Sequence, residues 1–387
     1  MNTNEAAPAP QSNQTPRIKA NRRIARFAAL IAASLFVALL LLELIQWTLW
    51  PAAHPLRRRP GPAVFTFQTD GRLLPGISGE THFTTESHGL RYPREIAVPK
   101  PPGIYRIFCV GGSTTECTYL DDADAWPARV ESALRSRFAG RAIEVINAGF
   151  SGLTSADHVE QIEEQLLPME PDCIVLMAGM NDHIRRNSLA EPAGRSWSKL
   201  AIDYSMTVRR LVPAWRAIGG DTGGDGSYAM DASGEIYRRL RAESAATPVA
   251  TDTREFDALP DPLPYFERNI ARIADVCRDR GVTLVLATHP TIYSELTQGD
   301  MESLLWMKAI LEVGGAQAPM AWHVAEMKRL NDRTRRFARE HGLILIEADA
   351  ALPKSSEVFY DDCHLNIAGS RLLGDMVTDE LEPLVRK

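Results

Sequence analysis

The sequence lacks the cysteine patterns that hold metal ions or build disulfide frameworks. Its five cysteines contain no Cys-x-x-Cys pair and form no cluster with histidine, so a structural zinc site is not expected. Because five is an odd number, the cysteines cannot all be joined in disulfides. The five are Cys109, Cys117, Cys173, Cys277 and Cys363.

The chain also lacks an excess of positive charge. Its 387 residues include 43 Lys and Arg against 49 Asp and Glu, which gives a formal net charge of −6. Proteins that bind nucleic acid usually present a basic face, so no nucleic-acid partner is expected. A hydrophobic fraction of 45% is ordinary for a globular protein, and the length allows one large domain or two small ones.

One long apolar run lies near the N-terminus. Residues 1–26 are predicted to be a disordered tail, and residues 27–50 are predicted to form a transmembrane helix interrupted by Glu43. A helix of 24 residues is roughly 36 Å long, enough to cross a hydrocarbon core of about 30 Å. A cleaved signal peptide is the alternative, but the run is longer than a usual signal region and no small-x-small cleavage site follows.

The charges on either side of this run predict its orientation. Five basic residues precede it and three arginines, at 57–59, follow it. The excess on the N-terminal side favours a cytoplasmic N-terminus. The expected localisation is therefore the cytoplasmic membrane, with a single span and the large domain on the extracytoplasmic, periplasmic side.

The remainder of the chain divides into a lead-in and a large domain. Residues 51–103 are rich in proline and predict a linker with short strands, such as 64–67. Residues 104–387 predict alternating strands and helices, with an insertion at about 183–260 that is a candidate cap over the site. The predicted strands are 104–110, 143–146, 173–177, 282–287 and 343–346, and the predicted helices are 125–138, 155–167, 265–280, 325–341 and 367–385.

This alternation predicts an α/β fold, with a parallel sheet covered by helices on both faces. In such sheets the functional site lies outside the carboxyl ends of the strands. Four short motifs carry the candidate chemistry, three of them at strand ends and one before the last helix. They are Gly111-Gly112-Ser113-Thr114, Asn147-Ala148-Gly149, Gly179-Met180-Asn181-Asp182 and Asp361-Asp362-Cys363-His364.

Ser113 is the candidate nucleophile. Two glycines before it allow a sharp turn after the first strand of the large domain and keep the hydroxyl accessible. A phosphate-binding loop is the alternative for such a segment. A P-loop requires Gly-Lys-Ser/Thr, and a dinucleotide loop requires a third glycine and an acid after the second strand. Neither pattern is present, so nucleotide binding is not indicated.

His364 is the candidate general base. Among nine histidines it is the only one with an aspartate three residues before it. Across one turn, Asp361 can reach Nδ1 of the ring and fix its tautomer, which leaves Nε2 to take the serine proton. Asp362 is a competing carboxylate, although its position next to His364 suits this role less well. Taken alone, an Asp-x-x-His sequence is more often a surface turn.

Gly149 and Asn181 are candidate donors to an oxyanion. A glycine lets its N–H approach a developing negative charge closely, an asparagine amide supplies a second donor, and the N–H of Ser113 supplies a third. Taken singly, Gly149 could be a turn glycine and Asn181 a loop or capping residue. Their occurrence with Ser113 and His364 in one order, at successive strand ends, favours a catalytic site.

These motifs resemble those of the SGNH/GDSL hydrolase superfamily. Ser113, Gly149, Asn181 and His364 match its four name-giving residues, and Asp361 occupies the first position of its Asp-x-x-His block. The resemblance extends over about residues 104–385. The family's Gly-Asp-Ser is Gly-Gly-Ser here, without the aspartate. The resemblance implies a flavodoxin-like three-layer α/β/α sandwich, and it implies neither a metal nor an organic cofactor.

Family activities include esterase, acetylesterase, lysophospholipase, thioesterase and polysaccharide O-acetyl transfer. The sequence thus predicts a membrane-anchored serine hydrolase that cleaves acyl esters, of a glycan or a lipid, through an acyl-enzyme. One alternative is an O-acyltransferase that acts on a polysaccharide, because the acyl-enzyme step is the same. A second is a non-catalytic glycan-binding domain. The acyl group, the alcohol and the oligomeric state are left open.

Three further features have open interpretations. His289 ends a strand near the expected site, where it either contacts substrate or is a structural histidine. The same two readings apply to His183. Cys117 and Cys363 flank the candidate nucleophile and base, so they would lie near one another. They are either a disulfide, which a compartment outside the cytoplasm would permit, or two buried thiols.

Overall fold

The computed structural model describes residues 27, 30, 31, 33–42, 45, 59, 61–188, 233–294 and 299–386. The chain divides into two units. One comprises residues 1–55 and 195–222, and the other comprises residues 56–194 and 223–387. Of the predicted insertion, residues 189–232 lie outside the described part of the chain.

The first unit contains the predicted membrane span. Its described residues, 27, 30, 31, 33–42 and 45, are helical and exposed, and the rest of the predicted span and the tail 1–26 lie outside the described residues. Within the described part of the chain, no helix combines the length and apolar composition needed to cross a membrane.

The second unit begins with an antiparallel hairpin and contains a five-stranded parallel sheet. The hairpin joins β1 (Ala63–Thr69) to β2 (Gly79–Thr85), and β7 (Glu312–Val313) pairs with β8 (Ala316–Gln317) in a small separate ribbon. The parallel strands are β3 (Ile104–Gly111), β4 (Ala142–Asn147), β5 (Cys173–Met177), β6 (Thr283–Ala287) and β9 (Ile344–Ile346).

The parallel sheet has the order β4–β3–β5–β6–β9. Numbered by sequence among themselves, these five strands follow the order 2-1-3-4-5, which is that of flavodoxin-like folds. The direction of winding changes at β3, so the carboxyl ends of β3 and β5 border the crevice where such folds bind ligands. Cys109 in β3 lies opposite Asn147 in β4 and Val175 in β5.

Both faces of the sheet are buried. Along β3, Ile107 and Cys109 enter one hydrophobic core, and Phe108 and Val110 enter the other. This alternation follows from the two-residue period of a strand, and the absence of polar residues between them matches a sheet covered on both sides. The fold is therefore a three-layer α/β arrangement, as the sequence predicts.

Ten α-helices are found in the described part of the second unit. They are α1 (Ser113–Glu116), α2 (Trp126–Arg137), α3 (Ser155–Gln161), α4 (Met180–Ile184), α5 (Glu235–Ala246), α6 (Arg254–Asp257), α7 (Leu263–Asp279), α8 (Met320–His341), α9 (Ala348–Ala351) and α10 (Ile367–Arg386). Helices α2 and α10 supply apolar residues to the core with Ile107, and α7 packs in the core with Phe108. Helix α8 contributes apolar residues to both cores.

Most predicted elements are present with small shifts of their ends. The predicted helix 155–167 is the main difference, because α3 ends at Gln161 and continues as a π-helix, Ile162–Leu166, and a 3₁₀ turn, Leu167–Met169. Pro168 lies within that turn and has no backbone N–H, so a regular α-helical ladder cannot continue through it.

The lead-in segment is part of the fold. Phe67 and Phe83 of the hairpin are buried in the same hydrophobic core as Ile107 of β3. Arg91, 3% exposed, extends this contact to the loop that follows α1. Its guanidinium donates to the carbonyls of Glu116 at 2.8 Å, Cys117 at 2.5 Å and Leu120 at 2.7 Å. These bonds add a charged donor to carbonyls of the turn after α1, and they fix the end of α1.

Candidate active site

Ser113 begins α1 directly after β3, and close approach of two strand ends explains the glycines before it. A Cβ atom on Gly111 would lie 2.6 Å from the carbonyl oxygen of Met177, at the end of β5. A Cβ atom on Gly112 would lie 2.8 Å from Nδ2 of Asn181. A larger residue at either position would push β5 and α4 away from the serine. The glycines thus bring Asn181 next to Ser113.

Ser113, His364 and Asp361 form a continuous hydrogen-bonded chain. His364 Nε2 lies 2.6 Å from Ser113 Oγ, and His364 Nδ1 lies 2.6 Å from Asp361 Oδ2. The Asp361 carboxylate is fully buried and His364 is 6% exposed. The structure brings together the three residues that the motifs single out, although 251 positions separate Ser113 from His364.

Four donors hold the Asp361 carboxylate. Oδ1 accepts the backbone N–H groups of Cys363 at 3.0 Å and His364 at 2.8 Å, and Oδ2 accepts from the His364 ring. The fourth donor is the indole of Trp306, whose Nε1 lies 2.9 Å from Oδ2. Burial alone would raise the pKa of Asp361, but the charge of His364 and these hydrogen bonds outweigh burial and lower it.

The pKa of His364 is shifted in the opposite direction. Burial would lower it, but the Asp361 carboxylate outweighs burial through its charge and its hydrogen bond and raises the pKa. A carboxylate can only accept, so Nδ1 carries the proton in the neutral ring. Nε2 is then the acceptor for the Ser113 hydroxyl. This arrangement can move a proton from Oγ to Nε2.

Trp306 is a site residue that the sequence motifs do not reveal. It lies in the segment before the 3₁₀ turn Met307–Ile310, 55 positions from Asp361. The side chain is 5% exposed, and its ring packs edge-to-face on Tyr237 at 5.9 Å. No local pattern marks a tryptophan as a donor to a remote carboxylate, so sequence reasoning could not have found it.

Asp362, the competing carboxylate in the sequence, has hydrogen-bond partners other than the His364 ring. Its Oδ2 accepts the backbone N–H groups of Trp306 at 2.8 Å and Met307 at 3.1 Å, and its Oδ1 accepts the Tyr293 hydroxyl at 2.8 Å. Burial and the nearby charge of Asp361 raise the pKa of Asp362 to about 6. Asp362 therefore holds the segment that carries Trp306.

Asn181 lies beside the nucleophile. Its Nδ2 donates to the carbonyl oxygen of Leu153 at 2.8 Å, which fixes the amide and leaves its second N–H free to donate elsewhere. Asn181 and Ser113 line one cavity. The other lining residues are Gly112, Thr114, Leu153, Met177, Ala178, Gly179, Met180, His289 and Cys363.

The structure corrects the prediction for Gly149. Its N–H donates to Oδ1 of Asn147 at 2.9 Å, and the Asn147 amide donates to the carbonyl of Thr115 in α1 at 2.8 Å. Gly149 also lines a different cavity, with Arg59 and His88. Because a side chain in its own loop already occupies this N–H, Gly149 is not the open oxyanion donor that the motif predicts.

Gly152 is the better-placed glycine of the same loop. It precedes Leu153, which bonds to Asn181 and lines the cavity with Ser113. Gly152 has a φ of 78°, a conformation that glycine adopts without strain. Among the residues that the structure describes, none accepts a hydrogen bond from its N–H. The sequence pattern places a glycine in this loop but does not tell which of the two has an N–H that its own loop leaves unoccupied.

His183 is a structural residue. Its Nε2 lies 3.2 Å from Nδ1 of His323, and its Nδ1 lies 2.6 Å from Nη2 of Arg186. Arg186 in turn pairs with Glu326 of α8 at 2.7 Å. Burial lowers the pKa of His183 well below its usual value, so the ring is neutral. This buried network joins α4 to α8 behind the site.

Cys117 and Cys363 are both free, buried thiols. They contact the same residue, Thr114, whose Oγ1 lies 3.6 Å from the Cys363 sulfur and whose carbonyl oxygen lies 3.4 Å from the Cys117 sulfur.

Atoms of Asp361, Cys363 and His364 that could bind a metal ion lie within 4.8 Å of one another. Asp361 and His364 are hydrogen-bonded to each other, however. Burial raises the pKa of Cys363 well above its usual value, which opposes the thiolate form that a metal ion would require.

The Trp306 indole is expected to tune His364 through Asp361. Trp306→Phe removes one of the donors on Oδ2 and leaves more negative charge for His364, so the pKa of the ring should rise further. Because only neutral His364 can accept the Ser113 proton, the acidic limb of the kcat/KM profile should move to higher pH. We expect kcat/KM at neutral pH to fall by about 3- to 30-fold.

Trp322→Phe is the matched control for this measurement. Its indole also donates to a carboxylate, Oδ1 of Asp257 at 2.9 Å, but outside the triad. It should leave the position of the acidic limb unchanged. If Trp306→Phe lowers the rate without moving that limb, Trp306 acts through packing and not through Asp361.

Comparisons with known proteins found one family model and several solved structures that are similar to this chain. A family model described as the GDSL-like lipase/acylhydrolase family matches residues 109–372. The acetylxylan esterase Axe2 from Geobacillus stearothermophilus is 16% identical, with a TM-score of 0.41, over 72% of this chain and 94% of that one. The α/β hydrolase LAE5, from the metagenome of Lake Arreo, is 15% identical, with a TM-score of 0.41, over 71% of this chain and 94% of that one. None of the curated proteins that were compared matches.

The family match covers the greater part of the chain. It begins within β3, before Ser113, and ends within α10, after His364, so that it contains the whole candidate site. The chain therefore belongs to the GDSL-like lipase/acylhydrolase family, whose members are ester-hydrolysing enzymes.

Proposed function

We propose that this protein is a serine esterase that cleaves acyl esters through the triad of Ser113, His364 and Asp361 and through an acyl-enzyme. One observation carries the proposal. The His364 ring lies between Ser113 Oγ and Asp361 Oδ2, at 2.6 Å from each. A serine hydroxyl is a weak nucleophile until a positioned base accepts its proton, and this geometry supplies the base together with the group that orients it.

In the first half-reaction, Ser113 Oγ attacks the ester carbonyl carbon while its proton passes to His364 Nε2. The imidazolium that forms is stabilised by the Asp361 carboxylate, which remains ionised. The tetrahedral intermediate collapses, the bond to the alcohol breaks, and His364 returns its proton to the leaving oxygen. The product is an ester between the acyl group and Ser113.

Three donors can stabilise the oxyanion. They are the N–H of Ser113 at the start of α1, the N–H of Gly152 and the second N–H of the Asn181 amide. The amide is held by its bond to Leu153 at 2.8 Å and therefore needs no reorganisation during the reaction. Removing one such donor typically lowers the rate by about 10²- to 10³-fold.

Water completes the cycle in the second half-reaction. His364 accepts a proton from the water while the oxygen attacks the acyl-enzyme, and it then returns the proton to Ser113. An alcohol could take the place of water with the same proton transfers, which would make the protein an acyltransferase. The triad serves both reactions equally.

A direct assay tests this proposal and separates the two outcomes. The purified protein is given 4-nitrophenyl esters of short and long acyl chains, with and without a sugar acceptor. Acid release without the acceptor supports the esterase, and transfer to the sugar in preference to water supports the acyltransferase. Failure to release nitrophenol from any ester, with the fold intact, would favour a non-catalytic glycan-binding domain.

The localisation is also a proposal. It rests on the charge-free run 27–42 and the five basic residues before it, which favour a single span with the catalytic unit outside the cytoplasm. A reporter that works only outside the cytoplasm, fused after residue 60, should be active. Neutralising the basic residues should reduce this signal, because the arginines at 57–59 would then dominate. An active cytoplasmic reporter at the same position would reverse the orientation.

A further inference from the structure

His289 lines the same cavity as Ser113 and Asn181. It follows β6, which lies beside β5 in the sheet. His289 therefore lies at the same carboxyl edge of the sheet as Ser113, which follows β3. The residue is 3% exposed. None of the catalytic steps described above uses it.

The backbone of His289 is held at both ends by one side chain. Its N–H donates to Oδ1 of Asn331 at 2.8 Å, and its carbonyl accepts from Nδ2 of Asn331 at 3.0 Å. Asn331 is fully buried in α8. This paired contact satisfies both backbone groups of His289 and gives the residue a fixed position against the sheet.

The hydrogen bonds of the ring identify its open nitrogen. Nδ1 lies 3.1 Å from the carbonyl oxygen of Pro290. A carbonyl can only accept, so Nδ1 carries the hydrogen and Nε2 offers a lone pair. Within the described part of the chain Nε2 has no hydrogen-bond partner, and unlike Nε2 of His323 it is not enclosed by protein.

The electrostatic setting keeps His289 neutral. Burial lowers its pKa to about 4, although the hydrogen bond to the Pro290 carbonyl and the charge of Asp349 act in the opposite direction. A ring with this pKa is a weak base and remains an acceptor at neutral pH. His289 is therefore suited to accept a hydrogen bond and not to carry a proton in the reaction.

We propose that His289 Nε2 accepts a hydrogen bond from a hydroxyl group on the alcohol portion of the ester, so that the enzyme prefers monoesters of polyols to alkyl esters. The inference rests on the proposed esterase function. The alcohol side is chosen because the leaving oxygen takes its proton from His364 Nε2, and His289 lines the cavity together with Cys363, the residue directly before His364. An acceptor alcohol would occupy the same place.

A matched series of small esters tests the preference in the unaltered protein. The esters are 2-hydroxyethyl acetate, propyl acetate, in which a methyl group replaces the hydroxyl, and 2-methoxyethyl acetate, which keeps the oxygen but cannot donate. We expect kcat/KM for the hydroxyethyl ester to exceed the other two by about 3- to 10-fold, the effect of one neutral hydrogen bond. Equal values for the three esters would overturn the inference.

Two variants assign the preference to His289. His289→Leu removes the acceptor and should bring the ratio of the hydroxyethyl to the propyl ester close to one. His289→Gln keeps an acceptor oxygen and should retain part of the ratio. Survival of the full ratio in His289→Leu would overturn the assignment. If neither variant folds, the ratio in the unaltered protein still decides.

The two proposals fail in distinguishable ways. No hydrolysis of any of the three esters or of any 4-nitrophenyl ester means that the proposed esterase function is wrong. Hydrolysis of all three at equal kcat/KM leaves the esterase intact and removes only the role of His289.

Discussion

Ser113→Ala is expected to lower kcat for acyl esters by about 10⁴- to 10⁶-fold, the range seen when a serine nucleophile is removed from a triad. The loss should be this large because His364 and Asp361 act through Oγ. Without the serine, His364 has no serine proton to accept, and only substrate binding and the oxyanion donors are left to assist attack by water. Steady-state hydrolysis of a 4-nitrophenyl ester measures the effect, and a fluorophosphonate probe reports the nucleophile directly.

Ser136→Ala is the matched control for this prediction. Ser136 is exposed on α2, so the same substitution removes a hydroxyl away from the site. The probe should label the unaltered protein and Ser136→Ala but not Ser113→Ala. Ser113→Ala should also unfold at nearly the same temperature, because Ser113 Oγ bonds only to His364 within the described residues. Labelling of another serine in active Ser113→Ala would refute the mechanism.

Asp361→Asn is expected to lower kcat by about 10²- to 10⁴-fold. The carboxylate accepts on both oxygens. One oxygen faces the N–H groups of Cys363 and His364, and the other faces the rings of His364 and Trp306. An asparagine must turn its NH₂ group toward one of these donor pairs. Either orientation sets donor against donor, so His364 loses its tautomer or its position.

Asp362→Asn is the control, and it differs for a specific chemical reason. An asparagine oxygen can still accept from the N–H groups of Trp306 and Met307. The NH₂ group then faces the Tyr293 hydroxyl, which can accept as well as donate. We expect kcat to stay within about tenfold of the unaltered protein. Equal losses from both substitutions would mean that Asp361 has no special role and that the whole turn matters.

Local pattern was sufficient to predict the regular elements. The strand β5 is continuous in apolar residues and was predicted with its observed bounds, Cys173–Met177. Helix α8 was predicted to start at 325 but begins at Met320, after Pro319. Periodicity marks the centre of a helix more clearly than its first turn, where Pro319 supplies the extended residue that precedes the helix.

The candidate triad could also be predicted from the sequence, because its geometry is partly local. Asp361 and His364 are three residues apart, and the turn between them makes their contact with the backbone and the ring possible. Ser113 could be added because it follows the first strand of the parallel sheet, and functional sites lie outside the carboxyl ends of such strands. Both steps use rules that depend on short segments and on the order of strands.

The sequence failed where one loop offered equivalent residues. Gly149 and Gly152 lie three positions apart after β4, and both satisfy the requirement for a small residue. The choice between them depends on Asn147, whose side chain folds back to occupy the N–H of Gly149. That contact is set by the conformation of the loop, which has no periodicity from which it could be predicted.

The sequence by itself determined the order of elements, the parallel sheet and the choice of Ser113, Asp361 and His364 as the candidate triad, since each follows from local periodicity, short spacing or strand ends. The tertiary structure alone decided that the Trp306 indole donates to Asp361 and that the N–H of Gly149 donates to Asn147. It also decided that His289 lines the cavity with its Nε2 available to accept a hydrogen bond. These facts depend on side-chain directions across segments that are distant in the chain. Such directions are fixed only when the packed core leaves each side chain a single place to lie.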